Sequence, residues 1–179
     1  MSPEDLFAHG TPKGEIHAVL YQLAKQESLG YCFTDRARVS CPDAELSVEP
    51  DVVFVSAFAI ETGRVRLRPK AGGAQGRFIE LEGPPDLIVE IVSDSSVTKD
   101  TKRLPEDYFR AGVPEFWLVD ARSSGLVFQI HGPGQNGYCL ATSDEAGFQC
   151  SAVLDRLFRL DRRKDRLGNW IYDLMVKAR

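Results

Sequence analysis

The chain lacks three features that would point to common classes of protein. No apolar run approaches the ~20 residues that a membrane-spanning helix requires, and we expect no contact with a membrane. The first residues are acidic and lack the basic and apolar segments of a signal peptide. We therefore expect a cytoplasmic protein.

The chain also has few cysteines and no excess of positive charge. The four cysteines are far apart in the sequence and form no Cys-x-x-Cys pair, which argues against a structural zinc site and favours free thiols. The net charge of −4 argues against strong, indiscriminate binding of nucleic acid, because such binding depends on many lysine and arginine contacts to phosphates. Neither an HExxH zinc motif nor a GxSxG nucleophile elbow is present.

The length and composition fit one domain with a substantial core. The chain has 179 residues, of which 43% are hydrophobic. We predict a single domain over residues 1–179, with residues 1–12 loosely ordered. A stripe of apolar residues at helical spacing predicts a first helix over residues 14–27. A second stripe, formed by Trp170, Ile171, Leu174 and Met175, predicts a final helix.

The middle of the chain predicts a βαβ unit. Residues 86–92 form an apolar run without alternation, which is typical of a strand buried on both faces. A helix is predicted over residues 97–111, with either a kink or a second helical start at Pro105, because proline has no amide hydrogen to donate. Residues 115–120 form another apolar strand, and a crossover helix makes the two strands parallel. We predict an α/β fold with a central mixed β-sheet flanked by helices.

One carboxylate stands within the most apolar of these strands. An ionised Glu90 surrounded by Ile and Val needs a metal, a cation or a proton, since an unpaired buried charge is costly. Asp86 lies on the same strand, but its Cα is about 13 Å from that of Glu90, too far for one metal ion to bind both. Asp51 opens another apolar strand, over residues 51–57, and is the better partner.

Two acids on two buried strands, followed by a segment rich in lysine and arginine, are typical of phosphodiester chemistry. Carboxylate oxygens suit a divalent ion such as Mg²⁺ or Mn²⁺. The ion polarises a phosphoryl oxygen, and a cationic side chain stabilises the developing charge. Lysine suits this second role because its compact ammonium group responds strongly to its surroundings.

The motifs in this part of the chain resemble those of a known superfamily. They resemble a bacterial branch of restriction-endonuclease-like proteins within the PD-(D/E)XK nuclease superfamily, and the resemblance extends from about residue 14 to the end. The matching segments are Pro50-Asp51, Asp86–Ser95, Lys99-Asp100, Tyr108 and Ala111–Asp120.

The resemblance implies a restriction-endonuclease-like fold and Mg²⁺-dependent cleavage of DNA. It implies that Asp51 is the aspartate of the PD motif and that Glu90 is its acidic partner, both of them metal ligands. Glu15, on the first helix, matches the position of an additional acid in the superfamily.

The chain departs from the superfamily pattern at the lysine. The pattern places lysine two residues after the second acid, where this chain has Val92. Many relatives in the branch carry the lysine on the following helix instead, at the position of Leu104. Lys99 is therefore our first candidate for the missing cation, and Lys102 is the second.

Three functions remain open from the sequence. The first is a Mg²⁺-dependent DNA endonuclease. The second is a nucleic-acid-binding or regulatory module with a degenerate site, for which the displaced lysine and the acidic net charge argue. The third is an interaction protein, in which the strand around Phe116 and Trp117 and the segment 126–141 extend a sheet across a homodimer.

Overall fold

The computed structural model describes residues 5–179. Within this range the α-helices are α1 (Thr11–Gln26), α2 (Ala57–Glu61) and α3 (Leu104–Ala111). The strands are β1 (Gly30–Thr34), β2 (Arg38–Cys41), β3 (Leu46–Val48), β4 (Val52–Ser56), β5 (Arg66–Pro69), β6 (Phe78–Glu82), β7 (Leu87–Ile91), β8 (Glu115–Asp120), β9 (Val127–Pro133), β10 (Tyr138–Leu140), β11 (Gln149–Ser151), β12 (Arg156–Lys164) and β13 (Trp170–Ala178). Single turns of π-helix (Leu6–Gly10 and Lys99–Arg103) precede α1 and α3, and a 3₁₀ turn (Pro42–Ala44) follows β2.

A six-stranded mixed sheet forms the centre of the molecule. Its strand order is β1-β4-β7-β8-β9-β10, and only β7 and β8 are parallel. The crossover between these two strands contains α3, as the βαβ pattern predicts. The other two sheets have the orders β11-β12-β13 and β3-β2-β6-β5. The predicted mixed sheet is therefore confirmed, although β-structure covers its faces as much as helices do.

The middle strands β4, β7 and β8 of the central sheet are buried on both faces. On the face that we call the α1 face, side chains of β4, β7 and β8 pack against α1, β12 and β13. On the opposite face, the α3 face, they pack against α3 and the four-stranded sheet. The α1 face includes Val52, Phe54, Leu87, Val89 and Trp117, and the α3 face includes Val53, Val55, Ile88 and Phe116. This double burial explains why the strands are apolar without alternation.

The N-terminal segment is helical where the sequence predicted loose order. The Asp5 carboxylate caps the first turn by accepting hydrogen bonds from the amides of Phe7 and Ala8, at 2.8 and 2.6 Å. His9 is buried, and Pro12 lies in the first turn of α1, where proline is favoured. The prediction of loose order is therefore wrong for residues 5–12, and residues 1–4 lie outside the described range.

The predicted final helix is also wrong, because residues 170–178 form strand β13. Tyr172 and Leu174 are buried while Asp173 between them is exposed, which is the alternation of a strand. The apolar residues fit a helical spacing as well, and the neighbouring strand decides between the two. β13 pairs along its full length with β12, with Leu174 opposite Leu160.

The helix before β8 has the interruption that the sequence predicted. The π-helical turn Lys99–Arg103 ends where α3 begins, and Pro105 lies in the first turn of α3. Gly112 ends α3 in a left-handed conformation, with φ of 81°. The alternative of a second helical start is therefore confirmed.

Two expectations based on absences can be compared with the structure. None of the helices within residues 5–179 is long and apolar enough to cross a membrane. All four cysteines are free thiols, of which Cys32 and Cys41 are buried.

Candidate active site

The pairing of β4 with β7 brings Asp51 and Glu90 to adjacent positions. The two strands are antiparallel, and Val52 lies opposite Val89. Continuing this register by one residue places Asp51 opposite Glu90 at the end of the pairing. One Asp51 oxygen, Oδ2, accepts a hydrogen bond from the Ile91 amide at 2.8 Å. The predicted meeting of the two acids on neighbouring strands therefore agrees with the sheet topology.

Glu90 lies in a buried and electrostatically unfavourable position. Its side chain belongs to the α3 face, where the Tyr108 hydroxyl donates a hydrogen bond to Oε1. Burial, followed by the negative charge of Asp51, raises the pKa of Glu90 to about 8. The Tyr108 hydrogen bond and Lys99 act in the opposite direction but do not reverse the shift. Glu90 is thus largely protonated at neutral pH unless a cation is added.

Two basic side chains, His9 and Lys13, lie close to the Asp51 carboxylate. Its Oδ2 lies 3.4 Å from His9 Nε2, and its Oδ1 lies 3.6 Å from Lys13 Nζ. Burial by itself would raise the pKa of Asp51, but hydrogen bonds from His9 and Ile91 and the charges of His9 and Lys13 lower it below the usual value. Asp51 is therefore the ionised member of the pair.

Asp100 is a third buried carboxylate near the pair. It lies in the π-helical turn before α3, and the Ser96 hydroxyl donates a hydrogen bond to its Oδ2. Burial raises the pKa of Asp100, and the negative charge of Asp51 contributes in the same direction. In the sequence, Asp100 was identified only as part of the matching segment Lys99-Asp100. Its proximity to Asp51 and Glu90 is a finding of the structure.

The two candidate lysines differ in their relation to the acids. Lys99 is exposed, but its charge lowers the pKa of both Glu90 and Asp100. Lys102 is exposed on another side of the same turn, where it lines a surface cavity with Glu106 and Phe109. Lys99 is therefore within electrostatic reach of the site, and no contact connects Lys102 with Asp51 or Glu90 in the described part of the chain.

Glu15 holds two elements together at a distance from the acids. Its Oε1 accepts a hydrogen bond from the Leu174 amide of β13 at 2.9 Å. Residues that are two positions apart on an α-helix differ by about 200° around its axis, so Glu15 and Lys13 project from opposite sides of α1. Lys13 approaches Asp51, whereas Glu15 anchors α1 to β13.

Three side chains that surround the acid pair were not predicted from the sequence. His9 lies in the segment 1–12 that was expected to be loosely ordered, and Lys13 lies between that segment and the predicted first helix. Tyr108 was named only as one of the matching segments; it is completely buried, and its hydroxyl contacts Glu90. Its position eight residues after Asp100 in the matching motif was the available signal.

The donor atoms at this site fit a divalent cation. Among residues 5–179, no group of three or more His, Cys, Asp and Glu side chains is arranged to hold a metal ion. Mg²⁺ needs fewer protein ligands, because it is commonly held by one or two carboxylates together with water and substrate phosphates. Asp51 and Glu90 supply hard oxygen donors, and a bound cation would relieve the repulsion that raises the pKa of Glu90.

Comparison with known proteins identifies the fold and the family. The fold is restriction-endonuclease-like, and it resembles the crystal structure of a putative nuclease belonging to DUF820 from Anabaena variabilis ATCC 29413. That similarity has a TM-score of 0.57 at 16% sequence identity and covers 79% of this chain and 69% of the other. The model of the Uma2 family, described as "Putative restriction endonuclease", matches residues 1–160. The chain belongs to this family. No curated protein matches it.

Proposed function

We propose that the protein is a Mg²⁺- or Mn²⁺-dependent endonuclease that hydrolyses phosphodiester bonds in DNA. The observation that carries the proposal is the convergence of Asp51 and Glu90 from adjacent strands, with the Asp51 charge contributing to a Glu90 pKa of about 8. Functional sites commonly hold such mutually perturbed acids, whereas a purely structural pair gains nothing from the repulsion. Family membership supports the same reaction class.

In this proposal Asp51 and Glu90 are the two residues that would hold the cation. The cation would polarise a phosphoryl oxygen and promote loss of a proton from the attacking water. Asp51 is already ionised, and Glu90 would have to lose its proton to ligate a cation, since a ligating carboxylate must be deprotonated. The Ile91 amide and Tyr108 hydroxyl fix the two carboxylates by hydrogen bonds.

Lys13 is the best-placed amine for the role that the superfamily gives to its lysine. Its Nζ lies 3.6 Å from Asp51 Oδ1, and its side chain is only 15% exposed. The same amine lies 2.8 Å from Asp35 Oδ1, so two carboxylates position it. Lys13 would orient the attacking water or stabilise negative charge on the phosphate. Lys99 would add a weaker, more solvated positive charge from the other side.

A cleavage assay tests the proposal. Purified protein is incubated with supercoiled plasmid and with single-stranded DNA in Mg²⁺, Mn²⁺ or EDTA, beside Glu90→Ala and Asp51→Asn. We expect cleavage that depends on the metal and is lost in both variants. Activity that survives Glu90→Ala would reject the assignment of the site.

The proposed function also implies a location and an oligomeric state. An enzyme acting on cellular DNA would work in the cytoplasm. Two copies would pair as a homodimer to cut both strands, and sedimentation with and without duplex DNA tests this pairing.

A second candidate is a nucleic-acid-binding or regulatory module with a degenerate site. The specific observation in its favour is Leu104, which is buried at the position where many relatives carry the lysine. Calorimetry with Mg²⁺ and Mn²⁺ separates the two candidates. DNA affinity retained in EDTA, together with the absence of any metal-binding heat, would favour the module.

A further inference from the structure

Two exposed aromatic rings lie side by side on the edge strand of the central sheet. Tyr31 and Phe33 on β1 are 55% and 36% exposed, and their rings lie 6.2 Å apart at an interplanar angle of 16°. Cys32 between them is buried in the core of the α1 face. The rings therefore project on the opposite side, the α3 face, because successive residues of a strand alternate.

This is the face that carries the acid pair. Phe33 lies opposite Val53 of β4, and Asp51 lies two residues before Val53, just before β4 begins, at a Cα distance of about 7 Å from Val53. Glu90 also belongs to this face, through its contact with Tyr108. The aromatic pair thus lies one strand away from Asp51 and two strands away from Glu90, and Phe33 is its nearer member.

Phe33 also forms one wall of a groove that is lined by apolar and charged side chains. The groove has a volume of about 380 Å³. Phe78 and Ile79 of β6, each more than half exposed, contribute apolar surface on its other side. The charged side chains that line the groove are Arg36, Arg38, Glu80 and Asp35, and the Asp35 carboxylate is paired with Lys13 at 2.8 Å.

Two arginines give the groove positive charge that solvent can reach. Arg36 lies in the tight turn after β1, with φ of 60°, and is exposed. The Arg38 side chain is 54% exposed and contacts Glu80 only at 3.9 Å. Arginine beside exposed aromatic rings is the combination that binds unpaired nucleic acid, because bases stack on rings while guanidinium groups contact phosphates. A purely apolar partner would supply no negative charge to either arginine.

We propose that Tyr31 and Phe33 form a base-stacking platform for an unpaired DNA strand that continues to Asp51 and Glu90. This inference rests on the proposed function and names its substrate: single-stranded DNA, or DNA with a locally unpaired segment. Duplex bases cannot use the platform, because their faces are already stacked on one another. The groove beside Phe33 receives one unpaired base, and Arg36 and Arg38 contact the neighbouring phosphates.

Binding in EDTA tests the platform separately from cleavage. Fluorescence anisotropy measures the affinity of a labelled single-stranded oligonucleotide for the wild-type protein and for Phe33→Ala, Tyr31→Ala and Phe33→Trp. Tyr21→Ala is the matched control, because Tyr21 is 48% exposed on α1, away from the groove. We expect Phe33→Ala to weaken binding about tenfold, since stacking is worth ~1–3 kcal/mol per base. Tyr31→Ala should weaken it less, while Phe33→Trp and Tyr21→Ala should bind like the wild type.

An abasic oligonucleotide distinguishes stacking from other causes. If Phe33 stacks on a base, the wild type and Phe33→Ala bind an oligonucleotide abasic throughout with equal affinity. An equal loss on normal and abasic strands would overturn the proposal, as would unchanged binding in Phe33→Ala. If Phe33→Ala changed the sedimentation of the protein but not its affinity for DNA, the proposal would be overturned, and the two rings would instead form a contact between copies of the protein. Phe33-dependent binding without any metal-dependent cleavage would support the platform while rejecting the nuclease.

Discussion

Two buried glutamates on neighbouring strands have opposite surroundings. Glu115 is the first residue of β8 and is only 2% exposed. Each of its two carboxylate oxygens accepts two hydrogen bonds. Four groups donate to its two oxygens, at 2.6 to 3.2 Å. These groups are Trp117 Nε1, the Ser151 hydroxyl and the amides of Ala152 and Val153. Glu115 therefore ties β8 to the segment that leads into β12.

Glu90, near the end of β7, accepts one described hydrogen bond, from Tyr108, and faces other acids. Burial raises the pKa of both glutamates, but only at Glu90 do neighbouring carboxylates, Asp51 and Asp100, raise it further. At Glu115 the four hydrogen bonds counteract the effect of burial. Hydrogen-bond satisfaction, rather than burial, therefore distinguishes Glu115 from Glu90, and the proposed role of Glu90 as a metal ligand requires this difference.

The largest expected difference between the two glutamates is in metal affinity. Glu90→Gln removes half of the proposed carboxylate pair and should weaken Mn²⁺ binding at least about 100-fold, because even groups behind the ligands are worth 10–100-fold. Glu115→Gln should leave the affinity unchanged. Isothermal titration calorimetry at pH 8 measures both. Equal affinities in the two variants would show that Glu90 is not a ligand.

Removing the Glu115 carboxylate should have the largest effect on folding. Glu115→Ala leaves the indole, a hydroxyl and two amides without their acceptor, and buried unsatisfied groups cost about 1–3 kcal/mol each. We expect the free energy of unfolding to fall by about 3 kcal/mol or more in urea denaturation. Glu90→Gln serves as the comparison, since it replaces an acid that is largely protonated. A loss below about 1 kcal/mol in Glu115→Ala would contradict the structural role.

The pH dependence of stability should also separate the two positions. The folded-state pKa of Glu90 is raised from 4.5 to about 8, so between these values the folded protein binds a proton that the unfolded chain has lost. Stability of the metal-free protein should therefore fall as pH rises, by roughly 2 kcal/mol between pH 6 and pH 8. Denaturation in EDTA at several pH values measures the slope. Glu90→Gln should remove most of it, and a slope unchanged in this variant would refute the pKa shift.

The smallest expected effect concerns the cation beside the acids. Lys13→Met should reduce cleavage about tenfold, because one positioned cationic donor near the reacting phosphate is lost. Lys102→Met is the matched control and should cleave at the wild-type rate. Initial rates on a labelled oligonucleotide under saturating Mn²⁺ compare the two. If Lys102→Met were the more damaged variant, the assignment of Lys13 would be wrong.

The sequence was sufficient for the part of the fold that is defined locally. The apolar runs before and after α3 predicted β7 and β8, and Pro105 predicted the second helical start. The segment 170–178 shows the limit of this approach. Its apolar spacing fits a helix and a strand equally, and only pairing with β12 makes it a strand. A contact with a distant part of the chain has no signature in local periodicity.

The site was predictable to the extent that it consists of unusual residues in apolar strands. Glu90 and Asp51 stand out because their neighbours are aliphatic. His9 and Lys13 do not stand out, since nothing around them indicates that the first turns of the chain pack against the end of the central sheet. Tyr108 was hidden for a different reason: a buried tyrosine fits a core role, and only its hydrogen-bond partner reveals a second one.

The antiparallel pairing of β4 with β7 has a consequence for the order of events during synthesis. Asp51 leaves the ribosome well before Glu90, and the two meet only when the strands that carry them close a non-local contact, which is slow compared with helix formation. The acid pair therefore does not exist in the nascent chain until β7 has emerged and docked. Recovery of metal binding during refolding would accordingly report the closure of the sheet rather than the appearance of helical structure.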